Sequence, residues 1–331
     1  MMRIFSIFFA LWFVLTLSPR AVLATPGVLT IYAGSYFASQ WGPGPQIKAA
    51  FETQCDCTVE IIAAEGGLAR LQLEGEASPA DVIMNIPIHQ ITQAKASGLL
   101  KAHELMIGNL ALPIDWRDRV FVPWDWSYLA FVYDRTVIEN PPTSLRSLIE
   151  DDHEFSFVFP DPNFSTTGMD LLAWIQAVYP GDQATRAWQQ LRPKVRTVTK
   201  GWSEAYGMFT NGEVPMVVSY STSPAYHLIA DESDRYAAAA FSEGHYVTLE
   251  VAARTTQSDD PALAHDFLAF ILTPAFQEII PTANWSYPVI DVPLPAAFDQ
   301  LIAPTRSLYV PPDQLAREKQ AWLMRWRQAM D

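Results

Sequence analysis

The chain has 331 residues, half of them apolar, and a formal net charge of −14 at pH 7. A chain of this length is expected to form two domains, or one large one, around a sizeable core. The acidic balance argues against a nucleic-acid partner, because phosphates require clustered lysines and arginines.

The first segment has the pattern of an export signal. Arg3 gives it a positive start, residues 4–17 are almost wholly apolar, and a small-residue cleavage site ends at Ala24. The apolar run is short for a membrane span, although an uncleaved N-terminal anchor is the alternative. We therefore expect residues 1–24 to be a signal peptide and the mature protein to be periplasmic.

Strand and helix patterns alternate along the rest of the chain, which indicates an α/β protein with a mostly parallel sheet covered on both faces. Strands are predicted at 28–32, 58–63, 80–84, 155–159, 196–199, 214–220, 236–241 and 246–254. Helices are predicted at 45–53, 68–74, 88–96, 167–178, 203–210, 223–230, 261–272, 274–280 and 314–330.

The aromatic run at 120–133 is too long for one average strand. Pro123 interrupts its hydrogen-bond ladder, so we interpret the run as a strand that crosses between two lobes. Residues 246–254 are the candidate for the return crossing. The predicted lobes are 25–122 plus 243–331, with a C-terminal helix, and 123–242. Most aromatic rings of the run are expected to pack in the core or hinge.

Cys55 and Cys57 are separated by one residue. In an oxidising compartment they form either a disulfide, which would close a tight loop and stabilise little, or two free thiols. No second Cys or His pair stands at metal-ligand spacing, so neither a metal site nor a cofactor is expected.

Trp202, Tyr220 and Trp285 stand beside turn-forming residues at the edges of predicted strands or helices. Loops at strand ends are where an α/β protein holds its ligand. Aromatic faces attract flat rings and cations. The pattern predicts a receptor for a small aromatic, cationic molecule.

Longer motifs follow one another over nearly the whole mature chain, and the run around Trp202 is the most specific. They are Trp41-Gly42-Pro43-Gly44-Pro45, Phe51-Glu52, Cys55-Asp56-Cys57, Phe131-Val132-Tyr133-Asp134, Asp161-Pro162 with Ser165-Thr166 and Gly168, Thr199-Lys200-Gly201-Trp202-Ser203-Glu204-Ala205-Tyr206-Gly207, Ser223-Pro224-Ala225-Tyr226-His227, Phe241-Ser242-Glu243-Gly244-His245-Tyr246 and Val251-Ala252-Ala253-Arg254. Together they resemble the periplasmic thiamine-binding proteins, the receptor subunits of ABC-type vitamin importers.

The resemblance implies a type II periplasmic-binding-protein fold that captures thiamine or its phosphates. The partners it implies are an inner-membrane ABC permease and its cytoplasmic ATPase, with the receptor itself a monomer. It places the hydroxyethyl or phosphate end of the ligand near Ser165 and Thr166. The ligand rings are expected among five aromatic residues: Trp41, Trp202, Tyr220, Tyr226 and Trp285.

Two positions depart from the family pattern. An acidic ligand contact of the family falls on Gly66, and an aromatic one falls on Gly34. Glu65 is the candidate to replace the carboxylate, and Tyr36 the candidate to replace the ring. The Gly66 and Gly67 amides are candidates for an anionic group, so a phosphorylated ligand is an alternative to thiamine.

Two other functions are alternatives for a chain with these features. A ferric-ion binder shares the expected fold, but those receptors use neighbouring tyrosines, whereas Tyr220 and Tyr226 are six positions apart. An exported enzyme is the rival from another class. The sequence has neither a Gly-x-Ser-x-Gly elbow nor a His-Glu-x-x-His pair, so we predict that the protein is not an enzyme.

Overall fold

The computed structural model describes residues 27–152 and 154–331, so the predicted signal peptide lies outside the described residues. The strands are β1 (Gly27–Ala33), β2 (Cys57–Ala63), β3 (Val82–Pro87), β4 (Leu100–Lys101), β5 (Val122–Asp134), β6 (Phe157–Pro160), β7 (Val195–Thr199), β8 (Met216–Tyr220), β9 (Tyr236–Ala238), β10 (His245–Thr255) and β11 (Ser307–Leu308). The helices are α1 (Ser35–Ala38), α2 (Gly44–Glu52), α3 (Gly67–Glu74), α4 (Ile91–Ala96), α5 (Leu145–Glu150), α6 (Thr166–Val178), α7 (Asp182–Leu191), α8 (Trp202–Thr210), α9 (Ser223–Ala230), α10 (Pro261–Ile271), α11 (Pro274–Gln277), α12 (Ile280–Ala283) and α13 (Pro312–Met330).

One sheet passes through the molecule in the strand order β2-β1-β3-β10-β5-β8-β6-β7. At one end β1 is parallel to β2 and β3, and at the other end β6 is parallel to β7 and β8. Between them, β5 and β10 are antiparallel to each other and to the strands that flank them. The structure therefore has two α/β lobes that share two crossing strands, which confirms the predicted fold class.

Strand β5 covers the aromatic run and differs from the predicted range by one or two residues at each end. The pairing of β5 with β10 shifts register next to Pro123, where the missing N–H would otherwise break the ladder. Trp124 and Phe131 are completely buried, and Trp124 packs edge to face against Phe37 at 5.6 Å. These rings are core residues, as the sequence predicted.

The C-terminal helix α13 touches both lobes. It packs against α4 on one side and against α6 and α7 on the other. Trp322 and Trp326 are buried residues of this helix, as their helical spacing predicts. Asp313, at its start, accepts a hydrogen bond from the Thr92 hydroxyl at 2.9 Å. The sequence predicts this helix as part of the first lobe, but its contacts join the two lobes.

Cys55 and Cys57 form a disulfide, the first of the two alternatives left open by the sequence. It lies in the turn between α2 and β2. Among the described residues no single helix is long and apolar enough to span a membrane. Helix α10 together with the segment Pro274–Ala283 passes that test only as a pair bent by 68°.

Candidate ligand-binding cleft

The predicted site residues of the second lobe lie at or shortly after the carboxyl ends of its parallel strands. Strands β6, β7 and β8 end at Pro160, Thr199 and Tyr220. Helices α6, α8 and α9 begin a few residues later, so their amino termini lie at the same edge of the sheet. This edge is where open α/β sheets bind ligands.

Trp202 is the first residue of α8 and is partly buried. Its ring stacks on Tyr206 with centroids 4.8 Å apart, and it lies 6.4 Å from the ring of Tyr220. Its indole N–H donates to the hydroxyl of Ser219 at 2.9 Å. The stack and the hydrogen bond fix the orientation of the indole while part of its face stays exposed.

The phenol of Tyr220 lies 3.0 Å from the hydroxyl oxygen of Thr167, on the first turn of α6. Burial, with added repulsion from nearby carboxylates, raises the pKa of Tyr220 above that of a free phenol. The side chain is therefore a neutral phenol at physiological pH. That state suits an aromatic contact and disfavours the tyrosinate that ferric iron requires.

Trp285 and Tyr226 meet edge to face at 5.1 Å, although one follows α12 of the first lobe and the other belongs to α9 of the second. The Tyr36 hydroxyl donates to the carbonyl of Ala283 at 2.9 Å and lies next to this pair. Trp285 has a φ of +55°, a strained conformation for a bulky residue. Such strain is concentrated in proteins at ligand sites.

Trp41 stands apart from the other four predicted rings. It is 78% exposed, and no ring contact joins it to them in the part of the chain that the structure describes. The next residue, Gly42, lies so close to the Tyr36 carbonyl that a Cβ would come within 2.0 Å of its oxygen. The turn is therefore built by close backbone packing, and the ring projects from it.

Ser165 precedes α6, and its side chain does not cap the helix. Thr166 is the first helical residue, and both side chains are partly exposed. The hydroxyls and the free amides of this turn are accordingly available to an oxygen-rich or anionic ligand group.

Glu65, Gly66 and Gly67 form the corresponding loop of the first lobe. One carboxylate oxygen of Glu65 accepts a hydrogen bond from the amide of Ser35 at 2.8 Å, so Glu65 partly serves the loop itself. Gly66 has a φ of +64°, which favours glycine, and Gly67 begins α3. The exposed start of α3 leaves backbone amides for a ligand.

The sequence did not predict that three carboxylates would lie between these elements. Asp125 on β5 is the register partner of Glu250 on β10, and Asp170 approaches from α6. The amide of Asn284 donates to Asp125 at 2.6 Å, and that of Asn85 donates to Glu250 at 2.7 Å. Burial raises the pKa of all three acids. The sequence did contain a signal for two of these acids, because Asp125 and Glu250 are charged residues inside the two predicted crossing strands.

The family model described as bacterial extracellular solute-binding protein matches residues 46–291. The chain is 47% identical over 319 residues to the thiamine-binding periplasmic protein of Escherichia coli (strain K12), covering 96% of this chain and 97% of that one. It is 44% identical over 331 residues to the protein of the same name from Brucella suis biovar 1, covering 98% of each.

A solved periplasmic thiamin binding protein has a TM-score of 0.87 and 46% identity, covering 92% of this chain and 97% of that one. A ferric binding protein from Campylobacter jejuni has a TM-score of 0.77 but only 18% identity, with 91% and 99% of the chains covered, so it shows the shared fold alone. The chain belongs to the bacterial extracellular solute-binding protein family, and within it to the group of the thiamine-binding periplasmic proteins.

Proposed function

We propose that the protein is a periplasmic receptor that captures thiamine between its two lobes and delivers it to an ABC importer. The observation that carries this proposal is the arrangement of rings at the strand ends. Trp202 and Tyr220 line the second lobe, while Tyr226 and Trp285 meet across the gap between the lobes. The names of the relatives support the choice of thiamine.

The chemistry of thiamine suits this lining. Its aminopyrimidine is flat, and its thiazolium carries a permanent positive charge. A well-placed cation–π contact contributes roughly 0.5–2 kcal/mol, so two or three rings support tight binding once water is excluded. Closure is a hinge motion at β5 and β10, which moves the lobe 25–122 plus 243–331 against the lobe 123–242.

The two helix starts favour thiamine phosphates as a second ligand. The Ser165 hydroxyl makes no capping bond, Thr166 adds a second hydroxyl, and Gly66 and Gly67 offer amides at the start of α3. Either group is suited to the hydroxyethyl or phosphate end of the vitamin. Trp41 belongs to the proposed site as a ring on the rim that packs on the ligand after closure.

Delivery requires an inner-membrane permease with its cytoplasmic ATPase, and we propose that the receptor meets them as a monomer. The relatives are binding proteins. The protein is accordingly proposed to release thiamine chemically unchanged, which product analysis after prolonged incubation tests.

Thiamine should quench the tryptophan fluorescence of the mature protein in a saturable way, because indoles that contact the ligand change their surroundings on binding. Fluorescence titration with thiamine, its monophosphate and its diphosphate provides the measurement. Ferric ion is the control and should produce no purple-red colour. If none of the three vitamin forms quenched the fluorescence, the ligand assignment would be wrong.

A further inference from the structure

Three carboxylates lie between the lobes, on β5, α6 and β10. Asp125 and Asp170 are each 5% exposed, and Glu250 is partly buried. Asp125 and Glu250 are directly opposite across β5 and β10, a placement in which like charges repel. Within the ranges 27–152 and 154–331, no lysine, arginine or histidine forms an ion pair with any of the three.

Asp170 differs from the other two because no hydrogen bond holds its carboxylate in the described structure. It lies one turn along α6 from Thr166 and Thr167, on the helix face whose Thr167 hydroxyl meets Tyr220. Because Thr167 lies three residues earlier on the same helix, Asp170 stands on the part of α6 that meets Tyr220 at the ring-lined cleft. A buried carboxylate without a partner is costly, so a ligand that supplies the partner is favoured.

The surroundings suit an organic cation better than a metal ion. No group of three His, Cys, Asp or Glu side chains among the described residues converges on a metal position. One oxygen each of Asp125 and Glu250 is already held by an asparagine amide. A metal ion needs converging oxygens, whereas a delocalised heterocyclic cation is stabilised by charge along one wall and ring faces along another.

We infer that Asp125, Asp170 and Glu250 form an anionic subsite that selects the positively charged heterocycle of the ligand, with Asp170 in direct contact with it. This inference rests on the proposed function, since it takes the cleft as the thiamine site. The rings orient the flat ligand, and the carboxylates discriminate a cation from a neutral molecule of similar shape.

Binding at this subsite releases protons. Burial raises the pKa of Glu250 to about 7, so this carboxyl is only partly ionised in the empty site at neutral pH. A bound cation stabilises the ionised acids, and the affinity therefore rises with pH through this range and falls as the pH is lowered. The titratable groups that face Glu250 and Asp170 are Glu65, Asp125, Tyr220 and Tyr246.

The test compares thiamine with its hydroxymethyl-aminopyrimidine half, which lacks the permanent cation, at the upper end of the pH range, where the aminopyrimidine ring is unprotonated. The protein is freed of ligand and titrated calorimetrically between about pH 5.5 and 8, a range that brackets the carboxyl of Glu250. Asp170→Asn is expected to weaken thiamine binding about tenfold and to leave binding of the pyrimidine unchanged. Glu250→Gln is expected to flatten the pH dependence and to reduce the number of protons released.

Asp56→Asn is the matched control, because Asp56 is exposed and precedes β2 at the end opposite the cleft. It should change neither affinity. Both test variants keep the side-chain size and remove a buried charge, so they are expected to fold. Equal losses for thiamine and the pyrimidine would overturn charge selection, and unchanged thiamine binding in both variants would overturn the subsite alone. A wild-type protein that bound no thiamine would overturn the proposed function as well.

Discussion

Trp202→Ala is expected to weaken thiamine binding by at least about tenfold, and by up to roughly 100-fold. The substitution removes a cation–π face and the stacking area of the indole, and each factor of ten corresponds to about 1.4 kcal/mol. The ring is held by Tyr206 and Ser219 but stays partly exposed, while Ala205 and Phe209 anchor α8 in the core. Calorimetric titration measures the affinity.

The melting temperature of the ligand-free variant separates a binding role from a core role. We expect a decrease of no more than about 3 °C, because only one hydrogen bond and one stack are lost. Trp202→Phe is the matched control, since it keeps an aromatic face and should recover part of the affinity. A large loss of ligand-free stability with unchanged affinity would make Trp202 a core residue.

Gly168→Ala is expected to destabilise the protein by about 1–3 kcal/mol. A Cβ at this position would lie 2.1 Å from the carbonyl oxygen of Pro160 and 2.7 Å from the nitrogen of Pro162. These are backbone atoms, so the first turn of α6 must move away from the end of β6. The same movement displaces Ser165, and thiamine binding should weaken as well. Urea unfolding measures the stability.

Gly207→Ala is the control for the glycine substitution. Gly207 lies inside α8 with open space around the position of a Cβ. Alanine there should stabilise the protein by about 0.5–1 kcal/mol, since it favours the helix and reduces the freedom of the unfolded chain. If Gly168→Ala and Gly207→Ala had the same effect on stability, the close approach of α6 to β6 would not be what requires glycine at position 168.

The local patterns of the sequence predicted most of the fold. Apolar runs bounded by turn residues located the parallel strands, and the length of the run at 120–133 identified the crossing strand β5. Helix α7 was not predicted, although its buried residues Ala184, Ala187, Trp188 and Leu191 stand at the i, i+3, i+4, i+7 spacing of an amphipathic helix. The contacts of α13 with both lobes depend on tertiary packing. The hydrophobic periodicity of the sequence predicts the helix but not the elements against which it packs.

The candidate site was predicted in part. Aromatic residues beside turn-forming residues can be recognised in the sequence. In an α/β protein such positions lie at strand ends, where ligands bind. The carboxylates were missed since Asp125, Asp170 and Glu250 are far apart in the chain, and only the pairing of β5 with β10 and the approach of α6 bring them together. Trp41 is the converse case. Its motif predicts a ring in the site, but the sequence does not show that this ring lies apart from the other four predicted rings.

A crystal structure of the mature protein with thiamine tests the central claim most directly. We predict a thiazolium or aminopyrimidine ring between Trp202 and Tyr220 on one lobe and Tyr226 and Trp285 at the other side, with positive charge toward Asp170. Density for thiamine on the outer surface, with these rings packed against protein alone, would contradict it.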